Sequence, residues 1–271
     1  MKRASHTDLA GRVVIVTGGA GLLGREYVAG IVEAGGRAAI ADIDGKAAAK
    51  VAAAAPGSSL AVRVDVTDPV SVAKMVRKVL KVYGRIDGLV NNAALDPKVD
   101  AQAAGRHSVP FEEYPLELWN RALAVDLTGM FLCTQAVAPT MLAQGRGVVV
   151  NICSTYGLVG PDQRLYEHDD PAAAPAFKPV SYSVTKSAAI GLTRYLAAYW
   201  GGKGIRVNSL TPGGVFNGHS DEFVRRYAAR TPLGRMAARH EYTGALLFLL
   251  SDASSYMTGS NLVVDGGWTA W

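Results

Sequence analysis

The sequence predicts an α/β fold in which helices cover both faces of a parallel sheet, and three observations predict it. Short β-branched runs alternate with longer helical patterns from residue 12 to the C-terminus, as successive βαβ units require. Each run is continuous in apolar residues, as strands covered on both sides should be. The composition, 49% hydrophobic and 19% charged over 271 residues, supports a large core and excludes a disordered tail, a collagen and a charge-rich coiled coil.

The expected strands are 12–17, 37–42, 60–65, 88–91, 148–152, 205–210 and 262–265. The first helical pattern covers 22–34. Between the third and fourth strands, Asp68 is an N-cap and Pro69 a first-turn proline, followed by Val72, Met75, Val76, Val79 and Leu80 at helical spacing. A further helix opens at Tyr182 and runs to Trp200. No linker, composition shift or internal repeat divides the chain, so residues 1–271 are expected to form a single domain with 1–10 as an N-terminal tail. Two stretches break the rhythm, 95–115 and 155–179, and loops of that length are usually functional or mobile.

The net charge of +5 is modest and reads as a soluble protein that attracts anionic ligands; no nucleic-acid surface is expected. Lys74, Arg77, Lys78 and Lys81 mark one solvated helix face. No window approaches the apolar length of a membrane span, and the opening MKRASHTDLA lacks the apolar centre of a signal peptide. Cys133 and Cys153 sit among apolar residues as inert thiols, which together with the missing signal points to the cytoplasm. The run His168-Asp169-Asp170 is read as solvated, and no metal is expected.

The first strand-to-helix junction, Thr17-Gly18-Gly19-Ala20-Gly21-Leu22-Leu23-Gly24, satisfies G-x-G-x-x-G through Gly19, Gly21 and Gly24. Glycines there permit a tight turn and a close backbone approach to a pyrophosphate, and the helix N-terminus offers it free N–H groups. Asp42 ends the second strand, where a carboxylate accepts from ribose hydroxyls and repels a 2′-phosphate, which predicts NAD over NADP. Capping the next helix is the competing role for Asp42, although Asp44 is better placed for it.

Tyr182 and Lys186, at i and i+4, share one helix face. Tyrosine ordinarily titrates near 10, and bringing it toward neutrality takes roughly 4 kcal/mol, which the lysine and a cofactor's positive ring can jointly supply. Tyr199 and Lys203 repeat the spacing, but Gly201 and Gly202 are expected to end the helix and keep that pair apart. Ser154 follows the fifth strand at its C-terminal end, where it can donate to a carbonyl oxygen or merely cap its own loop.

Gly18 to Gly24, Asp42, Asp65-Val66, Asn91-Asn92-Ala93-Ala94, Ser154, Tyr182 with Lys186, and Pro212-Gly213, in that order, closely resemble the short-chain dehydrogenase/reductase family over nearly the whole chain. The resemblance implies a Rossmann-type doubly wound sheet in the order 3-2-1-4-5-6-7, NAD(P) as cofactor and a homotetramer, or else a homodimer. It implies Tyr182 as general acid/base, Lys186 lowering its pKa and holding the nicotinamide ribose, and Ser154 orienting the substrate oxygen. The cofactor would meet Gly18, Ala20, Gly21 and Leu23 of the turn, with Asp42 and Ile43 beyond it. Asp65 and Val66 would hold the adenine, Asn91 and Ala93 would pass beneath the cofactor, and Pro212 to Val215 would reach the nicotinamide amide.

Four features depart from the family pattern. Gly21 gives the glycine spacing of the longer epimerase and dehydratase branch, although too few residues follow the sixth strand for that branch's substrate domain. Ala94 replaces a glycine. Asp126 stands where the family's proton relay has an asparagine, and a carboxylate there would raise lysine and tyrosine pKa values, which puts its relay role in question. Ser154 and Tyr182 lie 28 residues apart, a longer gap than usual, so 155–179 is an insertion beside the reacting atoms. Its Tyr156, Arg164, Tyr166 and His168 resemble members acting on sugars and sugar acids; Tyr156 and Arg164 are the candidate substrate residues, and Arg164 or Lys178 can hold a carboxylate or phosphate. The alternative is a solvent or oligomer-contact loop.

The expected activity is NAD-dependent interconversion of a secondary alcohol and a ketone, on a polar sugar, sugar acid or polyol. The alternatives are an NAD-retaining epimerase or dehydratase and a non-catalytic NAD-binding scaffold. Trp268 and Trp271 either cover a neighbouring subunit's site or finish the core.

Overall fold

A computed structural model describes residues 7–96, 108–167 and 176–271. The run His168-Asp169-Asp170 and the middle of both long loops lie outside the described residues. Seven parallel strands, β1 (Val13–Thr17), β2 (Arg37–Asp42), β3 (Ser59–Arg63), β4 (Gly88–Asn91), β5 (Gly147–Ile152), β6 (Ile205–Pro212) and β7 (Asn261–Val264), form one sheet in the order β3-β2-β1-β4-β5-β6-β7. The order reverses beside β1, whose neighbours are β2 and β4. That reversal opens a crevice beyond the strands' C-terminal ends.

Pleating sends alternate β1 side chains to opposite faces. Val13 and Ile15 join Met75, Val79, Val137, Met141 and Trp200 on one face, under α3 (Pro69–Tyr83), α5 (Gly129–Gln144) and α6 (Val180–Trp200). Val14 and Val16 join Tyr27, Ile31, Tyr242 and Leu246 on the other, under α1 (Leu22–Glu33) and α8 (Thr243–Leu250). In α3 the Asp68 carboxylate accepts from Val70 N, Pro69 opens the helix and Gly84 closes it at φ +74°. Its four cations are all exposed, as a solvated face requires. By length and composition alone, Leu116–Gln144, which runs from α4 (Leu116–Ala122) through α5, could cross a membrane. Its Cys133, Val137 and Met141 are instead buried in the sheet's core.

Three boundaries differ from expectation by two residues, and the other shifts are of one. β3 stops at Arg63 because the Asp65 carboxylate turns back onto Thr67 N and Thr67 Oγ1, at 2.9 and 2.7 Å. β6 runs on to Pro212 because β7 pairs with its last residues. α6 begins at Val180, so Tyr182 lies within its first turn. The expected separation of Tyr199 and Lys203 is also wrong. Gly201–Lys203 continues α6 as a 3₁₀ turn and the chain leaves at Gly204, φ +73°, which puts Lys203 Nζ 4.5 Å from the Tyr199 ring centroid.

A third apolar cluster lies beneath the insertion, where Tyr156, Tyr166, Met236 and Trp268 pack with Tyr227 of α7 (Asp221–Arg230). Trp268 finishes this cluster, 1% exposed and stacked on Tyr227 at 4.3 Å, whereas Trp271 is 77% exposed and its Nε1 donates to Arg230 O.

A buried amide ladder ties the sheet to its helices: Asn91 Nδ2 donates to Asn151 Oδ1 at 2.8 Å, and Asn151 Nδ2 donates to Thr193 Oγ1 of α6 at 2.9 Å. Asn151→Ala should therefore destabilise the protein by about 1–3 kcal/mol, seen as a lower urea midpoint at unchanged slope. An unchanged midpoint would show that the ladder contributes nothing.

Candidate active site

The crevice begins at the β1–α1 turn. Gly18 adopts φ +60°, and a Cβ there would lie 2.9 Å from Ala93 Cα, so only glycine lets the turn approach β4 this closely. Asn92 Nδ2 donates to Thr17 O and Gly18 O, both at 3.0 Å, while Thr17 Oγ1 accepts from Asn92 N and Ala93 N. Neither Thr17 nor Asn92 was singled out in the sequence as a site residue; the doublet Asn91-Asn92 was the available signal. The N-terminus of α1 has no side-chain cap and no acidic residue in its first turn, which leaves its N–H groups for an anion.

Asp42 lines the same cleft. Its oxygens accept from Ala20 N and Asp44 N, both at 3.0 Å, and each keeps a lone pair for an incoming hydroxyl. Asp44, not Asp42, caps α2 (Gly45–Ala52), accepting from Lys46 N and Ala47 N. The cleft encloses about 860 Å³. Gly18, Gly21 and Leu23 line it at the turn, with Ile43, Asp65 and Val66 to one side. Ala93 forms floor, and Pro212 and Val215 stand beside the far end. A glycine cradle, an uncapped helix end and a carboxylate one strand away make a donor set that fits a dinucleotide.

Four expected positions lie off the cleft wall. Ala20 is buried with its N–H spent on Asp42. Asn91 points its side chain into the sheet, donating to Thr134 Oγ1 as well as Asn151, which leaves its backbone as the part that could pass beneath a cofactor. Arg164 is turned to solvent because Asp162, two residues before it, takes its guanidinium at 2.7 and 2.8 Å. The pair borders a separate shallow depression with Arg226, Arg230 and Trp271, so Arg164 does not reach the cleft. Asp126 is buried in a π-helical turn, Leu123–Thr128. Its carboxylate accepts from Leu95 N at 2.7 Å and Thr185 Oγ1 at 3.3 Å, holding the chain beyond β4 against α6, and burial raises its pKa.

Ser154, Tyr156, Tyr182 and Lys186 share the opposite wall. Ser154 Oγ accepts from Tyr156 N at 3.2 Å, so the serine caps its own loop while lining the cleft together with Tyr182. Lys186 is buried, donates to Ile152 O at 3.1 Å and lies 5.7 Å from the Tyr182 ring centroid. The Tyr182 pKa is raised well above its ordinary value, a cost that the lysine and a cofactor's positive ring would together have to offset. Burial is the leading cause, the Asp96 charge adds to it, and the Ser154 hydrogen bond opposes it. Tyr156 moves the same way, to about 12, because it too is buried.

Residues 12–166 match the family model for short chain dehydrogenases, and residues 170–269 match a second model described as enoyl-(acyl carrier protein) reductase. The chain belongs to the short-chain dehydrogenase/reductase family. It is therefore an oxidoreductase of the CH–OH group that uses a nicotinamide cofactor. It is 35% identical to a 2,5-dichloro-2,5-cyclohexadiene-1,4-diol dehydrogenase of Sphingobium indicum, over 97% of this chain and 99% of the other. Identity is 36% to a D-threitol dehydrogenase of Mycolicibacterium smegmatis, over 96% and 94% of the two chains. Among solved structures, a gluconate 5-dehydrogenase from Burkholderia cenocepacia in complex with NADP and tartrate superimposes with a TM-score of 0.85 at 29% identity, covering 98% of each chain.

Because the Tyr182 pKa is raised, its phenol stays protonated below about pH 10 when no nucleotide is added. Ultraviolet titration of the protein and of Tyr182→Phe should give superimposable tyrosinate curves up to that pH. An extra tyrosinate in the parent near pH 7 would contradict the burial argument.

Proposed function

We propose that this family member is an NAD-dependent dehydrogenase of a polar secondary alcohol such as a polyol, sugar or sugar acid. The observation that carries the reading is the placement of Ser154, Tyr182 and Lys186 on one wall of the cleft whose other end holds Asp42.

Gly18, Gly21 and the N–H groups of α1 would hold the pyrophosphate, and Asp42 the adenosine ribose. Asp65 and Val66 would flank the adenine, and Pro212 to Val215 would orient the nicotinamide. When bound, the nicotinamide supplies a hydride acceptor and a positive charge. Ser154 holds the substrate oxygen by hydrogen bonding. As its phenolate Tyr182 takes the carbinol proton while the C–H bond breaks, and as its phenol it gives that proton back in the reverse direction. Lys186, fixed on Ile152 O, holds its ammonium near the phenol and would favour its phenolate during the transfer. Asp126 braces the loop beyond β4 against α6, which supports a positioning role over a relay through its side chain.

We further infer that residues 1–271 act as one domain in the cytoplasm, assembled as a homotetramer or homodimer. In support of assembly, Phe131 of α5 and Tyr195 and Tyr199 of α6 expose large apolar faces.

Tyr182→Phe should lower kcat by about 10²–10⁴-fold while NAD affinity is kept, the expected loss for a general acid/base. Equal kcat in the variant would overturn the mechanism. Asp42→Ala should narrow the preference for NAD over NADP by about tenfold or more in initial-rate assays, since the repulsion of a 2′-phosphate is removed. A parent protein that already prefers NADP would reject the NAD assignment.

A further inference from the structure

The described end of the insertion delivers a second lysine to the reacting wall. Lys178 Nζ lies 4.1 Å from the Tyr182 ring centroid, and its side chain is 9% exposed. It pairs with Asp96 Oδ1 at 2.5 Å, Asp96 coming from the chain beyond β4 with its side chain 55% exposed. Both residues line the cleft beside Tyr182. The lysine is held in place through its backbone: Lys178 N donates to Gln163 Oε1 at 2.9 Å, and Gln163 Nε2 donates to Lys178 O at 3.3 Å. The pair thus bridges two loops at a fixed position next to the phenol.

We propose that the Lys178–Asp96 pair is the specificity element of this site and selects a neutral vicinal polyol over a hydroxy acid or a simple monoalcohol. The proposal rests on the dehydrogenase reading above and names the substrate class for it. Charge decides between the alternatives. On this wall the Lys178 ammonium is already paired with Asp96, so an incoming carboxylate has to displace Asp96 before it can engage that cation. A hydroxyl needs no such displacement, because it donates to a carboxylate and accepts from an ammonium at the same time. While Tyr182 and Ser154 engage the reacting hydroxyl, a hydroxyl on the adjacent carbon falls to the ion pair. A monoalcohol would leave the pair without that contact.

The test uses initial rates with NAD on threitol and xylitol as polyols, sec-butanol as monoalcohol and β-hydroxybutyrate as hydroxy acid. The parent should have its highest kcat/KM on the polyols. Lys178→Met should raise KM for polyols and reduce the ratio of kcat/KM on threitol to that on sec-butanol by about tenfold or more, the effect of losing a hydrogen bond to a charged group. Asp96→Asn uncovers the ammonium and should raise kcat/KM for β-hydroxybutyrate relative to threitol. Parent preference for β-hydroxybutyrate, or an unaltered threitol to sec-butanol ratio in Lys178→Met, would overturn the inference while the dehydrogenase stands. No NADH from any of the four alcohols would overturn the dehydrogenase reading and the inference with it.

Discussion

The close approach of Gly18 to Ala93 is the constraint on which the cleft depends. It brings the β1–α1 turn against the end of β4, at the point where strand order reverses, and it requires a residue without Cβ at positive φ. Thr17 and Asn92 then stitch the two chain segments together with four hydrogen bonds at 3.0 to 3.1 Å. With that junction closed, α1 presents its uncapped N-terminus to the cleft and Asp42 stands one strand away with spare lone pairs. The cradle is therefore a product of backbone geometry, which glycine sets and polar side chains lock.

The reacting wall is built by different means. The amide ladder from Asn91 through Asn151 to Thr193 holds α6 to the sheet, and Lys186 adds a bond to Ile152 O. Tyr182, near the start of that helix, inherits its position. Burial alone moves the phenol away from reactivity, since an anion is costly in such surroundings. The charges placed beside it therefore have to offset desolvation, and both Lys186 and Lys178 lie within 6 Å of its ring.

Much of this was legible in the sequence because its signals are local and redundant. Each strand is a continuous apolar run, α3 carries its own cap, proline and terminal glycine, and the family resemblance orders the rest. What was not legible depends on which way a side chain turns. Asn91 and Asn92 are adjacent and chemically identical, yet one points into the sheet and the other clamps the turn. Arg164 was a plausible anion holder until Asp162 drew it outward. Gly201 and Gly202 suggested a helix end, but the backbone carried on to Gly204. Spacing reveals the cation beside Tyr182 and not the depth of burial that raises its pKa.

Amide hydrogen exchange with and without NAD decides whether the β1–β4 crevice is the dinucleotide site. Slower exchange is predicted at 18–24, around Asp42 and at Ala93, with β7 and the exposed face of α3 unchanged. Protection confined to other segments, or none at saturating NAD, would contradict it.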